Sequence, residues 1–382
     1  MAKEEAVAAG LYNVIGKEID DRYMEELKKQ SIHPEIIKEM AKDIKIVYTP
    51  LHGTGNLPVR RVLKELGFEH VYVVPEQEKP DGNFPTVAYP NPESPKAFEL
   101  ALKLAKEVDA DIVLATDPDA DRLGVYCKDT KSGEYVTFTG NMSGMLIAEY
   151  ILREKTAMGT MPKNPALVET IVTTDMAKAI AKAYGVKLIE VLTGFKYIGE
   201  QIGQMEACGK ADSYIFGFEE SYGYLSGSYV RDKDAVDAYL LICEMFCYYA
   251  SQGISLLDRL HMIYEQYGYC LNRVHSYSFE GAAGFETMQK IMARFRTLSD
   301  HLCGYVIEQK LDYAQGINGL PKADVVKFIL EDNCSVIDSP SGTEPKIKVY
   351  VTVCADSGKI STAAESDGRD DAGCSSRDRI LR

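Results

Sequence analysis

Residues 44–74 read IKIVYTPLHGTGNLPVRRVLKELGFEHVYVV, in which two short apolar runs flank an amphipathic one. The periodicity predicts a strand over 44–48, a helix over 58–66 and a strand over 71–74. Strand, helix and strand in this order are typical of a mostly parallel sheet that helices cover. This stretch therefore predicts an α/β fold.

The same alternation continues towards the C-terminus in two successive α/β units and a smaller region. The first unit gains a helix over 95–108, a strand over 112–115 and a long apolar helix around 142–152. The second unit begins the order again, with strands over 166–172, 187–191 and 213–216 and helices over 176–184, 197–208 and 235–250. From about residue 269, a strand over 274–279, a helix over 283–298 and a strand over 346–353 predict an α+β region.

Five segments follow from these patterns, and a cluster of Gly, Pro and Asn near 156–165 marks the join between the two α/β units. The tail is rich in Ser, Asp, Gly and Arg and cannot bury enough apolar surface to offset its ordering entropy. Because the tail begins where a helix would normally close an α+β domain, we expect a truncated or frame-shifted end. The segments are a helical remnant with a linker (1–43), an α/β domain with an acidic loop (44–157), an α/β domain with a polar loop (158–268), an incomplete α+β domain (269–354) and a disordered tail (355–382).

Composition and charge narrow the classes of function. The chain has 382 residues, of which 46% are hydrophobic and 26% charged, and a formal net charge of −14. A strongly acidic chain is a poor partner for nucleic acid, because phosphate binding needs a basic surface. The nine cysteines are scattered without zinc-like clustering, which predicts reduced thiols. No apolar run approaches the ~20 residues that span a membrane, so we expect no membrane partner and a cytoplasmic location.

An apolar strand ends in three carboxylates at alternate positions, in the run Ile112-Val-Leu-Ala-Thr-Asp117-Pro-Asp119-Ala-Asp121-Arg122. Three hard oxygen ligands on a tight loop suit Mg²⁺ or Ca²⁺. An EF-hand is excluded because its sixth and twelfth loop positions hold Arg122 and Lys128, where Gly and Glu are needed. Ligands of α/β folds bind at the carboxyl ends of such strands. A solvated acidic turn is the alternative interpretation of the spacing alone.

Three further loops carry small and polar residues. The run Gly217-Phe-Glu219-Glu220-Ser221-Tyr-Gly223 follows a predicted strand and offers hydrogen bonds to sugar hydroxyls. The run Ser339-Pro-Ser341-Gly342-Thr343-Glu-Pro-Lys346 is similar to a backbone nest that cradles a phosphate. The run Leu51-His52-Gly53-Thr54-Gly55-Asn56 opens a helix, a position that favours anions, but it lacks the Lys of a P-loop. For each loop, an ordinary polar turn is an equal alternative.

Taken together and in this order, the motifs resemble the α-D-phosphohexomutase superfamily, and within it the phosphoglucomutases of the larger, four-domain type. The resemblance covers residues 44 to about 353 and implies two α/β/α phosphohexomutase domains followed by a partial, smaller α+β domain. The motifs that carry it are Thr49-Pro-Leu-His-Gly-Thr-Gly55, Asp117-Pro-Asp-Ala-Asp-Arg122, Thr193-Gly-Phe-Lys196, Gly217-Phe-Glu-Glu-Ser-Tyr-Gly223 and Ser341-Gly-Thr-Glu-Pro-Lys346.

The resemblance also implies residue roles. It implies that Asp117, Asp119 and Asp121 hold Mg²⁺, with Arg122 near the reacting phosphoryl group and Lys196 as a second catalytic contact. The Glu-x-Ser pair is implied to bind sugar hydroxyls, and the Ser-Gly-Thr loop to hold the non-reacting phosphate. The implied substrate-binding residues are His52, Glu219, Ser221, Ser341, Gly342, Thr343 and Lys346.

The family reaction interconverts glucose 1-phosphate and glucose 6-phosphate through a bisphosphate and an enzyme phosphoserine. The sequence has no run of the Thr-Ala-Ser-His-Asn-Pro type that carries this serine, so we expect a fragment that does not turn over alone. A serine domain supplied in trans would be its partner. Ser339 also stands where the family pattern has Arg, and a hydroxyl cannot replace the bidentate, charged grip of a guanidinium on phosphate.

Two other classes of function stay open. A non-catalytic module that binds sugar phosphates would show saturable glucose 6-phosphate binding without turnover. An Asp-nucleophile phosphatase is the less favoured alternative, since Asp117 and Asp119 also follow a strand with one residue between them. By resemblance, the Thr193-Gly-Phe-Lys196 loop favours glucose phosphates over mannose phosphates.

Overall fold

The structure is a computed structural model, which describes residues 1–317, 319–340 and 346–355. Three helices precede the first strand: α1 (Lys3–Ala8), α2 (Gly16–Lys29) and α3 (Pro34–Met40). Pro34 lies in the first turn of α3, where its missing N–H removes no helical hydrogen bond.

A five-stranded sheet follows, with the order β2-β1-β3-β4-β5. β1 pairs in parallel with β2 and β3, and β4 runs antiparallel to β3. Because helices cover both faces of the central strands, β1 and β3 are almost entirely buried. The elements are β1 (Lys45–Thr49), α4 (Asn56–Leu66), β2 (His70–Val73), a 3₁₀ turn (Pro95–Phe98), α5 (Glu99–Val108), β3 (Ile112–Thr116), β4 (Leu123–Lys128) and β5 (Tyr135–Phe138).

The second α/β region repeats this plan. The parallel strands lie in the order β7-β6-β8, with β6 between the other two. The elements are α6 (Gly140–Ala157), β6 (Ala166–Thr170), α7 (Met176–Ala183), β7 (Lys187–Val191), α8 (Phe195–Ala207), a 3₁₀ turn (Ala211–Ser213), β8 (Tyr214–Glu219), β9 (Gly223–Leu225), α9 (Ala235–Ala250) and α10 (Leu256–Tyr267).

The C-terminal region is an antiparallel sheet with one helix packed on it. The strand order is β10-β15-β14-β13-β12-β11. Met288 and Met292 of the helix pack with Phe328 in one apolar cluster. The elements are β10 (Tyr269–Ser278), α11 (Gly281–Thr297), β11 (His301–Leu302), β12 (Tyr305–Asp312), a 3₁₀ turn (Tyr313–Gln315), β13 (Val326–Leu330), a 3₁₀ turn (Glu331–Asn333), β14 (Ser335–Pro340) and β15 (Lys346–Ala355).

This architecture confirms the predicted fold class, two α/β/α regions and then a β-rich C-terminal region. The predicted strand over 187–191 and helix over 235–250 coincide with β7 and α9. Sequence periodicity did not reveal β4, β5, β9, α10 or the strands β11 to β14. In β4 the reason is local, because Gly124 interrupts the apolar pattern. A Cβ there would lie 2.7 Å from Pro92, so the close packing requires glycine.

Packing divides the described residues into two compact units. Unit 1 consists of Met1–Thr137 and Tyr224–Gly253, and unit 2 of Phe138–Gly223 and the described residues after Gly253. α9 therefore belongs to unit 1, where the Tyr239 ring packs edge-on against Tyr48 of β1 at 5.3 Å. This division does not follow the predicted boundaries at 157/158 and 268/269, which stay predictions.

The predictions about the C-terminal tail and about membrane spans can be compared with the described residues only. Ala355, the first residue of the predicted tail, is the last residue of β15, and residues 356–382 lie outside the described residues. Within the described ranges, no helix combines the length and apolar character that crossing a membrane requires.

Candidate functional site

The acidic loop after β3 brings three carboxylates together. One carboxylate oxygen from each of Asp117, Asp119 and Asp121 lies within 4.8 Å of the others. Asp117 Oδ1 accepts the backbone N–H groups of Asp121 and Arg122, each at 3.0 Å, and Ala120 turns the chain with a φ of +60°. The local backbone therefore points alternate side chains to one place.

Burial and repulsion between neighbouring carboxylates disfavour the charged form of Asp117 in this cluster. Asp117 is 6% exposed, Asp121 is half-buried and Asp119 is exposed. Burial, together with the neighbouring Asp121 and Asp119 charges, raises the pKa of Asp117 to about 7. Three converging carboxylates are the hard oxygen donors that Mg²⁺ and Ca²⁺ prefer, and a cation would relieve their repulsion. The residues present thus fit a hard divalent cation.

Two cationic side chains also approach the cluster within unit 1. Arg122 Nε lies 3.6 Å from Asp117 Oδ2 and 3.7 Å from Asp121 Oδ1, and Arg122 Nη1 donates to Glu93 Oε1 at 2.8 Å. Lys233 Nζ lies 2.9 Å from Asp121 Oδ2. The cluster is therefore an arrangement of mixed charge.

Lys233 is a residue of this site that sequence reasoning missed. It lies in the charged run Arg231-Asp-Lys-Asp234, directly before α9, and that run is the only sequence signal of it. Asp234 caps α9 by accepting the N–H of Val236 at 2.8 Å, and Ala235 N–H donates to the Ala120 carbonyl at 3.1 Å. The start of α9 is thereby attached to the acidic loop, which holds Lys233 beside Asp121.

The loop after β1 forms hydrogen bonds and a close backbone contact with the acidic loop. Thr54 donates to the Pro118 carbonyl through its N–H at 2.8 Å and its hydroxyl at 3.1 Å. A Cβ on Gly53 would lie 2.4 Å from Pro118 Cα, so this contact requires glycine. The Gly-Thr-Gly motif therefore makes a close backbone contact with the acidic loop.

His52 lies buried in the same loop, with both ring nitrogens occupied. Nδ1 lies 3.1 Å from the Lys79 carbonyl, and Nε2 lies 2.8 Å from Thr86 Oγ1. These contacts attach the loop after β1 to the segment that follows β2. The substrate-binding role of His52 stays a prediction.

In unit 2 the polar loop after β8 is tied to the loop after β7. Glu219, the last residue of β8, is 4% exposed, and its Oε1 accepts the Gly194 N–H at 2.9 Å. Gly194 has a φ of +116°, which favours glycine, and Lys196 lies two residues later with Nζ 5.0 Å from the Tyr197 ring centre. Ser221 is half-buried in the following turn. The structure thus brings the two predicted substrate loops of this unit together.

The predicted phosphate loop falls largely outside the described residues. Ser341, Gly342 and Thr343 are not described, whereas Lys346 is the first residue of β15. Ser339 of β14 lies directly opposite Lys348 of β15 in the antiparallel register. Facing side chains at such positions have Cβ atoms about 5 Å apart. Lys348, which sequence reasoning did not single out, therefore places a cation beside the position where the family pattern has Arg.

Comparison with known families and proteins shows what this chain is similar to. Residues 21–132 match the family model "Phosphoglucomutase/phosphomannomutase, alpha/beta/alpha domain II", and residues 139–267 match the model of domain III. A phosphoglucomutase of Staphylococcus epidermidis ATCC 12228 is 36% identical over 326 residues, covering 82% of this chain and 58% of the relative. A phosphoglucomutase of Staphylococcus aureus MRSA252 is 35% identical over 354 residues, covering 89% and 61%. The chain thus spans about three fifths of the length of these relatives.

Two solved structures share the fold. A phosphoglucomutase of Paramecium, pp63/parafusin in its open form, superposes with a TM-score of 0.64 at 18% identity, covering 91% of this chain and 61% of that one. A phosphoglucomutase/phosphomannomutase family protein of Burkholderia thailandensis gives a TM-score of 0.58 at 16% identity, covering 91% and 62%. At these identities the likeness shows the fold alone.

Proposed function

Because the chain belongs to the phosphoglucomutase/phosphomannomutase family, we propose that it is the metal-binding and sugar-binding part of a phosphoglucomutase. The reaction would interconvert glucose 1-phosphate and glucose 6-phosphate through glucose 1,6-bisphosphate and an enzyme phosphoserine. Such an enzyme is an intramolecular phosphotransferase of the isomerase class. The hexose phosphates are its partners, with glucose favoured over mannose phosphates.

The observation that supports this proposal most is the convergence of three carboxylates at the carboxyl end of β3. Asp117, Asp119 and Asp121 would hold Mg²⁺, which would neutralise charge on the transferring phosphoryl group. Glu93 and two of these carboxylates surround the guanidinium of Arg122. In this proposal Arg122 would meet a phosphoryl oxygen with a directed N–H donor.

The substrate residues of unit 2 would act through their joined loops. Glu219 accepts the Gly194 N–H through Oε1 and would also accept from a sugar hydroxyl. Ser221 would supply a second hydroxyl contact, and Lys196 would meet a phosphate oxygen. His52, Ser341, Gly342, Thr343 and Lys346 complete the proposed substrate-binding set.

Turnover by the family reaction requires a phosphoserine, and the 382-residue sequence contains no run of the Thr-Ala-Ser-His-Asn-Pro type. We therefore propose that this chain does not turn over by itself and that a serine domain in trans restores the reaction. The cytoplasm is the proposed location.

A coupled assay from glucose 1-phosphate to glucose 6-phosphate, with Mg²⁺ and glucose 1,6-bisphosphate, tests the proposal. It is run on the chain alone and with the N-terminal part of the Staphylococcus epidermidis relative that this chain does not cover. We expect activity only in the mixture, and none when the chain carries Asp119→Asn. The exposed Glu107→Gln serves as the matched control and should keep full activity.

Other results of this assay would favour other functions. Activity of the chain alone would mean that the nucleophile lies within it. Saturable glucose 6-phosphate binding without turnover in either case would favour a sugar-phosphate-binding module. Release of inorganic phosphate that Asp117→Asn abolishes would favour the phosphatase.

A further inference from the structure

Two cysteines face each other across the edge of the C-terminal sheet. Cys270 of β10 and Cys354 of β15 are direct partners in the antiparallel register. Their sulfur atoms lie 3.6 Å apart although the residues are 84 positions apart in sequence. The pairing of two strands, and not local sequence, brings these thiols together.

The backbone at this pair already suits a disulfide. Directly opposite residues of antiparallel strands have Cα atoms about 4.5 to 5.5 Å apart. Disulfides need Cα atoms within about 4.4 to 6.8 Å. The sulfur atoms have to approach by about 1.5 Å to reach the bonded separation of ~2.05 Å, which side-chain rotation supplies.

A cavity gives small molecules access to both sulfur atoms. Cys270 and Cys354 line a cavity of about 350 Å³ in unit 2, together with Asp175, Lys178 and a third thiol, Cys334. Cys270 is buried in the protein and Cys354 is half-buried. A volume of this size admits a small oxidant such as a hydroperoxide.

We propose that Cys270 and Cys354 are an oxidation site at which a hydroperoxide forms a reversible cross-strand disulfide. With hydrogen peroxide, the Cys270 thiolate first attacks one peroxide oxygen and the O–O bond breaks, so that Cys270 becomes a sulfenic acid. The hydroxide that leaves takes up the proton lost by the Cys270 thiol and departs as water. In the second step the Cys354 sulfur attacks the sulfenic sulfur, the S–O bond breaks, and a second water leaves. Two thiols and one hydrogen peroxide give one disulfide and two waters.

The hydrogen bonds at the two sulfur atoms indicate which thiol reacts with the peroxide first. The Cys354 thiol donates to the Cys270 sulfur, and this hydrogen bond lowers the pKa of Cys270. The Thr174 hydroxyl lies 3.6 Å from the same sulfur and adds to the effect. The same hydrogen bond, with burial, raises the pKa of Cys354. Cys270 is therefore the thiol that reacts first.

The disulfide would lock the edge strand β10 to β15. β10 is the first strand of the C-terminal sheet and follows α10 after Gly268 alone, whose φ is +96°. The disulfide would join residues 84 positions apart, and a cross-link over such a long separation strongly lowers the conformational entropy of the unfolded chain. We expect oxidation to raise the melting temperature of the chain by about 5 °C, and dithiothreitol to reverse the rise.

Peptide mapping of the full chain tests the site directly. The chain is treated with hydrogen peroxide, its remaining thiols are alkylated, and it is digested with trypsin without reduction. We expect a linked species of residues 260–273 and 349–359, two hydrogen atoms lighter than the sum of the free peptides. Reduction with dithiothreitol should release both peptides. Because this readout uses the unaltered chain, it does not depend on whether a variant folds.

Variants identify the order of events and the specificity. With Cys354→Ser, Cys270 should stop at the sulfenic acid and be trapped by dimedone. With Cys334→Ser, the matched control in the same cavity, the linked species should form as before. A bond from Cys270 to Cys334, or alkylation of both Cys270 and Cys354 after peroxide treatment that oxidises the exposed Cys208, would overturn the proposal.

Discussion

The two α/β sheets have the same plan and carry different chemistry. In unit 1 the parallel strands lie in the order β2-β1-β3, and in unit 2 in the order β7-β6-β8. In each sheet the third strand of the region leads into the loop with the acidic residues, Asp117 after β3 and Glu219 at the end of β8. The position of the candidate site is thus a property of the shared topology.

In both regions a hydrogen bond joins the loop after the second strand to the loop after the third strand, but the groups that form this bond differ. In unit 1 Glu93, which follows β2, accepts from Arg122, which follows β3. In unit 2 Gly194, which follows β7, donates its backbone N–H to Glu219. Unit 1 sets two cations beside its carboxylates, and in unit 2 a backbone N–H donates to Glu219. The comparison teaches that the scaffold fixes where two loops meet, while the loop residues decide which charges meet there.

The largest expected effect is the loss of metal binding when the acidic loop of unit 1 loses one ligand. Asp119→Asn should weaken Mg²⁺ binding at least about 100-fold, because it removes one of three anionic oxygen ligands. Asp119 is exposed, so the fold should be unaffected. Isothermal titration calorimetry measures the affinity, and circular dichroism checks the fold.

The matching change in unit 2 shows whether the two loops are chemically distinct. Glu219→Gln keeps the shape and can still accept from Gly194, but it loses the negative charge. We expect glucose 6-phosphate binding to weaken about 30-fold, since hydrogen bonds to charged groups contribute ~1.5–3 kcal/mol. Mg²⁺ affinity should stay unchanged. The exposed Glu200→Gln on α8 is the control. A loss of Mg²⁺ binding in Glu219→Gln would erase the proposed difference between the loops.

The acidic loop of unit 1 could be predicted from the sequence alone. The cluster of Asp117, Asp119 and Asp121 lies within one loop, so apolar periodicity before it and alternate spacing within it predicted it. Lys233 and Glu93 reach the same loop only through tertiary packing, and no local pattern records that packing. The strands β11 to β14 were missed for a similar reason, because antiparallel strands pair over long separations in sequence. No residue of β12 is fully buried and β13 is almost entirely buried, so neither strand shows a clear alternation.

Lys233 provides a sharper test of the charges around the acidic loop. Its ammonium lies against Asp121, a metal ligand in the proposed function, so a divalent cation has to compete with it. Lys233→Met should therefore tighten Mg²⁺ binding about tenfold at low salt, and less at high salt. Calorimetry at two salt concentrations measures this.

Lys233→Arg keeps the positive charge and should leave the affinity near that of the unaltered chain. Weaker binding in Lys233→Met would instead mean that Lys233 positions Asp121 for the metal. In that case the cations of unit 1 would support the ligand set and would not oppose the metal.

The smallest expected effect concerns how unit 1 supports the segment that carries Lys233. Asp237 of α9 accepts the N–H and hydroxyl of Ser226, both at 2.7 Å. Burial, with the Asp234 charge nearby, raises the pKa of Asp237 from 3.8 to about 7. A raised carboxyl pKa means that the folded chain binds this proton more tightly than the unfolded chain. Its contribution to stability is complete below pH 3.8 and is lost as the pH rises through about 7.

The free energy of unfolding should therefore fall by about 1 kcal/mol more between pH 5 and pH 8 in the unaltered chain than in Asp237→Asn. We set the difference below the full linkage value because the Ser226 donors favour the charged form and Asp234 shares the titration. Urea unfolding at pH 5, 6, 7 and 8 measures it, with the exposed Asp43→Asn as the control. Parallel pH profiles for the unaltered chain and Asp237→Asn would mean that Asp237 stays ionised, and that unit 1 tolerates a buried charge where Ser226 solvates it.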